Sequence, residues 1–183
     1  PDGLQFEIRL SEQGKHLGVG SLRASLAHSQ IWCDEAGRGI NWTWIDLLEQ
    51  LGRSWPFLKY EESSPPGVYD GTLALLRKGH PATPDFEFES PTEVSRETYA
   101  FLRRHNLATG IEGLYLPSFS LLREGRKIWI ASSNVARLMH LDETLQTLAE
   151  LGDVLSASIA SAASDHRSRL AVDTWRDREP SME

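Results

Sequence analysis

The chain has 183 residues, 40% hydrophobic and 25% charged, and its 19 basic and 26 acidic residues give a net charge of −7. This composition indicates one soluble globular domain, or one domain with a small appendage. The negative charge argues against nonspecific nucleic-acid binding, which requires a cationic surface. No apolar run approaches the roughly 20 residues of a membrane-spanning helix. Cys33 is the single cysteine, and one cysteine cannot form an internal disulfide. We therefore expect a cytoplasmic protein without membrane association.

The first part of the chain is predicted to form strands. Residues 4–10 alternate apolar and polar side chains, as expected for a strand with one buried face. Residues 17–33 predict one long or two short strands, in which glycines at 18 and 20 suggest a bulge. The buried face of this second segment is predicted to contain Leu22, Ala24, Leu26 and His28.

A helix rich in tryptophan and leucine is predicted to follow a loop at 34–39. Its apolar face has helical spacing and consists of Trp44, Leu47, Leu48, Leu51 and Trp55. Its solvated face is predicted to contain Asp46, Glu49, Gln50 and Arg53. Asn41 or Thr43 is the predicted cap, and Pro56 predicts that the helix ends or kinks at Trp55. A buried tryptophan removes roughly 150–250 Å² from water, so this helix is predicted to anchor the core.

A proline- and glycine-rich segment, 59–90, is predicted to form a long loop. Ser90 and Glu93 then have the spacing of a capping box, with Pro91 at the first helical position. These signals predict a helix that continues to about Arg104. Its buried side is predicted to contain Val94, Phe101 and Leu102.

The last third of the chain predicts a β-hairpin followed by helices. Strands at 118–122 and 127–132 flank a turn that contains Gly125. Within the second strand, the isoleucines at 128 and 130 are predicted to face one way and Trp129 the other. The helices are predicted at 142–151, from 153 to about 163 after a break at Gly152, and from a cap at Asp165 to Trp175.

Together these elements predict an α+β fold. A small antiparallel sheet of about four strands packs against the tryptophan- and leucine-rich helix, and the C-terminal part is helical. We divide the chain into a core domain, 1–140, and C-terminal helices, 141–183, which pack on the core or extend from it.

No recognisable catalytic or metal-binding motif is present. The six histidines show neither His-Glu-x-x-His nor His-x-x-His spacing, and a paired Cys-x-x-Cys is absent. The Gly-x-Ser-x-Gly elbow of serine hydrolases is absent as well. We therefore predict no catalytic residue, no metal ligand and no cofactor.

The most singular polar feature is Arg103-Arg104-His105-Asn106, at the end of a predicted helix. As a binding site, these residues would hold a carboxylate or phosphate of a partner. As a helix terminator, the cations would complement the helix dipole, and this second interpretation is favoured on electrostatic grounds. Trp42 is a further candidate binding residue, because Trp42 and Trp44 lie two apart in the predicted helix and cannot share one face. The alternative is a rim residue whose indole N–H is hydrogen-bonded.

Several motifs occur in a recognisable order: Trp42 to Leu48, Trp55-Pro56, Arg103 to Ala108 with Gly110 and Gly113, Pro117 before the hairpin, Leu151 to Asp153, and Trp175 to Arg178. This order resembles the N-terminal accessory region that precedes the peptidase in some bacterial ImmA/IrrE-type zinc metallopeptidases. That family acts in stress response and in the control of mobile elements, often by cleaving repressors. Its zinc-binding helix is missing from these residues, so the resemblance implies a non-catalytic accessory region that senses a signal or binds a regulator.

Three functional hypotheses follow. The leading one is a non-catalytic regulatory or protein-interaction domain of a bacterial cytoplasmic protein, linked to a metallopeptidase of stress response, mobile-element control or phage defence and binding a protein partner. The first alternative is a small-molecule or nucleotide sensor with a pocket between the sheet and the tryptophan helix. The second is a metal-dependent, nuclease-like enzyme that uses loop carboxylates such as Asp70, Asp85, Glu87 or Glu112. The oligomeric state is left open.

Overall fold

A computed structural model gives the fold, and it describes residues 3–10, 19–61, 78, 100–101, 103–111, 114, 116–133, 135–162 and 165–179. These residues form a four-stranded antiparallel sheet, a three-stranded antiparallel sheet and three α-helices. The predicted α+β class and the four-stranded sheet are confirmed. The second sheet was predicted only as an isolated hairpin. The loop predicted at 59–90 begins too early, because Lys59 and Tyr60 still belong to a helix. Residues 62–90 and the capping box at 90–93 lie outside the described residues, apart from Lys78.

The four-stranded sheet consists of β1 (Leu4–Leu10), β2 (Val19–Leu26), β3 (Ser29–Trp32) and β4 (Ile40–Thr43). Strand β2 is central: β1 pairs along one of its edges, and β3 and β4 share the other edge. The predicted alternation in β1 and the buried face of β2 are confirmed.

Two details of the predicted second segment are wrong. His28 does not continue the buried face, because it is exposed in the turn between β2 and β3. Gly20 pairs in regular register with Leu10 and Trp42, and the irregularity lies instead between Ala24 and Ser25. The bulge therefore lies where the pairing of β2 passes from β4 to β3. Gly18, the other glycine predicted to mark a bulge, lies outside the described residues.

Helix α1 (Ile45–Tyr60) buries the whole predicted apolar face, and Trp44, Leu47, Leu48 and Leu51 are almost completely inaccessible. Its N-cap is Trp44, whose side chain makes no capping bond, so the predicted caps in β4 are wrong. The predicted end at Trp55 is wrong as well, because α1 passes through Pro56 for another turn, and the alternative of a kink there stays a prediction. That last turn buries Leu58 completely, which helps to offset the hydrogen bond that proline cannot donate.

Two residues assigned to the solvated face of α1 are buried. Asp46 is covered by Arg167, whose Nη2 binds the Asp46 carboxylate. Gln50 is buried because its amide donates to the carbonyl oxygens of Arg103 at 3.1 Å and Asn106 at 3.3 Å. The prediction failed because both contacts come from residues distant in sequence.

The three-stranded sheet is a meander of β5 (Ser120–Glu124), β6 (Lys127–Ala131) and β7 (Ala136–His140). The turn between β5 and β6 contains Gly125 at φ +62°, a backbone conformation that glycine adopts without steric cost. Ile128 and Ile130 are buried while Trp129 is half-buried, which confirms their predicted opposite directions. Strand β7 was not predicted.

Helices α2 (Leu141–Ala162) and α3 (His166–Arg176) complete the fold. The break predicted at Gly152 is wrong, because α2 continues through it. The cap predicted at Asp165 is confirmed: its carboxylate accepts from the backbone N–H of Ser168 at 3.0 Å. Helix α2 contacts β1, β6 and β7, and α3 packs against α1 and α2. The division of the chain at residue 140 stays a prediction.

The tryptophans join these elements through both ring packing and hydrogen bonds. Trp55 and Trp175 pack edge to face with ring centroids 5.4 Å apart. The indole N–H of Trp44 donates to the carbonyl oxygen of Gly20 at 2.9 Å, which ties the start of α1 to β2. Buried indoles therefore stabilise the core without leaving these donors unpaired. Among the helices described, none has the length and apolar character needed to cross a membrane.

Candidate functional site

A groove of about 700 Å³ runs between α1, the segment around residues 100–109 and the start of α3. We call it the arginine groove, because four arginines line it. Its described lining residues are Glu49, Gln50, Arg53, Phe57, Ala100, Arg103, Arg104, Thr109 and Arg167. Two of the five residues predicted as a binding site, Arg103 and Arg104, therefore lie in it.

Arg104 is fixed in place on the groove wall. Its guanidinium binds both carboxylate oxygens of Glu61, with the Nε–Oε2 distance at 3.0 Å. The same guanidinium lies 4.8 Å from the ring centroid of Phe57 and 5.1 Å from that of Phe101. A bidentate pair combined with two aromatic contacts holds a planar guanidinium in one orientation. Arg104 therefore supplies a positioned but already neutralised cation.

His105 is buried behind this wall. Its ring stacks on Phe101 with centroids 4.1 Å apart, and Nδ1 lies 2.9 Å from the Phe101 carbonyl oxygen. Nε2 lies 3.5 Å from the carboxylate of Glu61. Burial lowers the pKa of His105, against the opposing effects of the Phe101 carbonyl and Glu61. A neutral, inaccessible imidazole cannot grip a partner at the surface, so His105 has a structural role.

Asn106 joins the end of the preceding helix to β5. Its Oδ1 accepts from the backbone N–H of Ala108 at 2.9 Å and from that of Phe119 at 3.0 Å. It also forms an isolated β-bridge with Ser120 and is almost fully buried. These contacts cap the 3-10 helix Leu107–Gly110. They support the terminator interpretation for Asn106.

Arg103 and Arg53 present their guanidinium groups to solvent. Arg103 is exposed, and among the described residues no carboxylate pairs with it. The side chain of Arg53 is 69% exposed and its closest carboxylate, Glu49, is 3.5 Å away. An exposed pair at that distance contributes little energy. Both guanidinium groups are therefore accessible to an anion.

Arg167 closes the groove from the side of α3. It binds Asp46, and its Nε donates to Glu49 at 3.0 Å. The hydrogen bond to Glu49, followed by that to Asp46, raises the pKa of Arg167 above its usual value. These ion pairs hold α3 against α1. They also neutralise the carboxylates of Asp46 and Glu49, which would otherwise repel an anionic ligand.

Trp42 is not part of the arginine groove. It lies in β4 rather than in the helix, where it is half-buried and packs against the apolar core. Its indole Nε1 has no hydrogen-bond partner among the described residues. Trp42 therefore does not fit the alternative of a rim residue whose indole N–H is hydrogen-bonded.

Sequence reasoning missed Glu49, Arg53 and Phe57 as groove residues. They lie at positions i, i+4 and i+8 of α1, a spacing that places them on one helix face. This spacing is visible in the sequence, and it predicts that one acidic, one basic and one aromatic side chain lie in a row along the helix. Arg167 and Glu61 carried no comparable signal, because only the tertiary fold brings them to the groove.

The two alternative hypotheses, a sensor and a nuclease-like enzyme, stay predictions. The described lining of the arginine groove includes no strand residue, whereas the sensor hypothesis places its pocket between the sheet and α1. No three His, Cys, Asp or Glu side chains of the described residues come close enough to hold a metal ion. The carboxylates named for a nuclease-like site, at 70, 85, 87 and 112, lie outside those residues.

No protein-family model, curated protein or solved structure matches this chain.

Proposed function

We propose that this chain is a non-catalytic protein-interaction domain that binds an acidic segment of a partner protein in the arginine groove. The observation that carries the proposal is the contrast between two pairs of arginines in one groove. Arg104 and Arg167 are held by carboxylates, whereas Arg53 and Arg103 point accessible guanidinium groups into the same space. The fixed pair shapes the groove, and the accessible pair is available to bind.

The chemistry of the groove specifies the kind of partner. Guanidinium groups bind carboxylates through paired N–H donors, so an anionic ligand is favoured. Phe57 is 39% exposed and adds an apolar surface between the arginines. An acidic peptide segment with one apolar side chain satisfies both features, and interfaces commonly combine arginine with aromatic residues in this way. The net charge of the whole chain is −7, so an acidic segment needs a local cluster of cations such as this groove in order to bind.

The proposal is tested with a fluorescent peptide in which glutamates flank a single phenylalanine, followed by anisotropy. Each exposed charge pair contributes roughly 0.2–1 kcal/mol. The double variant Arg53→Ala/Arg103→Ala should therefore weaken binding by roughly twofold to thirtyfold. Binding to the unaltered protein should also weaken with added salt, because exposed charge pairs are screened.

The matched control is Arg126→Ala, in which a 94% exposed arginine of the β5–β6 turn is removed. It removes one positive charge, as does each of the single variants Arg53→Ala and Arg103→Ala with which it is compared, and it should leave peptide binding unchanged. Equal losses in Arg126→Ala and in the single groove variants would indicate a general charge effect and overturn the proposal. ATP or single-stranded DNA binding in the groove in place of the peptide would favour the sensor hypothesis instead.

We also propose that the domain acts in a bacterial cytoplasmic protein next to a metallopeptidase of the ImmA/IrrE type. The support is the order of sequence motifs that includes residues 103–106, together with a groove suited to a regulatory partner. Sequencing the complete gene tests this proposal. A zinc-site helix with its glutamate encoded next to this region is the expected result, and an unrelated neighbouring domain would contradict it.

A further inference from the structure

Strand β1 pairs with β2 along one edge, and no strand among the described residues pairs with its other edge. The backbone N–H of Ala27 donates to the Gly3 carbonyl oxygen at 3.3 Å, and the register continues with Gln5 opposite Ser25. In an antiparallel pair, hydrogen-bonded residues alternate along the strand. Positions 5, 7 and 9 therefore bond to β2, whereas the N–H and C=O groups at positions 4, 6 and 8 point to the other edge. No described residue bonds to those groups.

A groove of about 500 Å³ lies along this strand, between β1 and α2. The strand side includes Leu4, Phe6 and Ile8, of which the last two are half-buried. The helix side is formed by Thr147, Glu150, Leu151 and Val154. Val154 is 45% exposed, so it adds apolar surface to the helix side of this groove. The groove thus combines backbone donors and acceptors with an apolar surface.

The charges of the groove indicate what it would accept. Glu7 is already paired with Arg9 and Arg23. Glu150, on the helix wall, contacts only the amide of Gln146 among the described residues, at 3.1 Å. One carboxylate without a cation therefore faces the groove of a protein whose net charge is −7. A ligand with basic side chains complements this wall.

We propose that β1 binds an extended, basic segment of another protein, which adds to the sheet as a further strand. Main-chain bonds to positions 4, 6 and 8 would supply affinity, and alternate apolar side chains would pack on Phe6, Ile8 and Val154. A lysine or arginine of the segment would pair with Glu150. This site is separate from the arginine groove and does not depend on the function proposed there.

A single strand fits this edge better than a second copy of the chain does. Pairing β1 with itself around a two-fold axis would bring the second copy's α2 to the same side of the joined sheet. Helix α2 contains acidic residues and no basic ones, so the second copy's α2 would give the Glu150 carboxylate no cation to pair with. A lone strand needs only the free edge and the helix wall.

The test uses a short synthetic peptide that alternates valine and threonine between terminal lysines, with amide hydrogen exchange followed by NMR. In the free protein, the amides of residues 5, 7 and 9 should be protected and those of Leu4, Phe6 and Ile8 should exchange fast. With the peptide bound, all should be protected. A peptide with N-methylated backbone should not bind, because it lacks the donors of a strand ladder.

Two variants separate what the backbone edge of β1 and the side chains of α2 each contribute to peptide binding. Ile8→Pro removes an edge-facing N–H together with the half-buried isoleucine side chain, so it is compared with Ile8→Ala, which loses the side chain alone. Both variants should retain the circular dichroism spectrum of a folded protein, and only the proline should abolish binding. Glu150→Lys should weaken binding about twofold to fivefold, whereas Glu143→Lys, on the same helix but outside the groove, should not. Unchanged exchange at positions 4, 6 and 8 with the peptide at saturating concentration overturns the proposal. Protection that rises with protein concentration alone also overturns it, in favour of a second copy.

Discussion

Gly152 is the position where a single added carbon should disturb the fold most. A Cβ built there would lie 2.1 Å from Cζ2, 2.4 Å from Cε2 and 2.5 Å from Cη2 of Trp175. Carbon atoms in contact are normally about 3.5–4.0 Å apart. In the Gly152→Ala variant, the indole ring of Trp175 would therefore have to move by more than 1 Å, which is roughly the difference between these distances and a normal contact distance.

The expected cost follows from what the ring holds in place. Trp175 is buried, donates its N–H to the Asp153 carboxylate at 2.8 Å and packs edge to face on Trp55. Overpacking a core costs about 1–3 kcal/mol, and a lost hydrogen bond to a charged group costs about 1.5–3 kcal/mol. Alanine returns about 1 kcal/mol through its higher helix propensity. We expect Gly152→Ala to lower the free energy of unfolding by about 1.5–5 kcal/mol.

Urea denaturation followed by circular dichroism measures this change. Gly52→Ala is the matched control: its Cβ would meet Cγ2 of Thr174 at 3.0 Å, a contact that a small side-chain shift relieves. Its cost should stay within about 1 kcal/mol, because propensity offsets the crowding. In a Trp175→Leu background, Gly152→Ala should cost little more. A Gly152→Ala variant as stable as the unaltered protein, or more stable, would refute the packing argument.

Three further predictions concern the core and the segment behind the arginine groove. Asn106→Ala leaves the buried N–H of Phe119 without its acceptor and should cost about 1–3 kcal/mol by urea denaturation, while Asn106→Asp retains an acceptor and should cost less. Because burial lowers the pKa of His105, the folded state disfavours its protonation. The unprotonated His105 therefore contributes to the free energy of unfolding. This contribution is complete above pH about 6.5, the ordinary pKa of histidine, and it is lost as the pH falls from there toward the lower pKa that His105 has in the folded state. His105→Gln should remove that part of a pH series of unfolding midpoints, and an unchanged profile would contradict the assignment. Trp55→Ala should cost about 3–5 kcal/mol by urea denaturation, and Trp55→Phe clearly less.

The elements that sequence predicted correctly are those decided by neighbouring residues. The alternation in β1, the glycine of the β5–β6 turn and the Asp165 cap each depend on a few adjacent positions. In each case the local backbone preference and the tertiary fold agree, so a pattern seen in the chain is sufficient.

The failures share the opposite cause. Pro56 and Gly152 are helix breakers by local preference, yet each lies within a continuous helix. Gly152 is required because the ring of Trp175 occupies the space beside it, and α1 passes Pro56 to bury Leu58. Asp46 was placed on a solvated face, but a partner over a hundred positions later covers it. Contacts of that range leave no periodic signal in the chain, so tertiary packing overrides the local preference.

Tertiary contacts also explain why the four consecutive candidate residues, 103–106, have different surroundings in the structure. The chain leaves a helix at Arg103–Asn106 and enters an extended bridge, so successive side chains point in different directions. Arg104 and His105 meet Glu61, and Asn106 meets the start of β5. Arg103 alone of the four is left accessible, beside Arg53 from α1. A cationic groove can exist on an acidic protein because Glu61, Glu49 and Asp46 are each occupied by an arginine that shapes the groove. Binding there depends on which charges are already paired, a property that neither net charge nor a short motif contains.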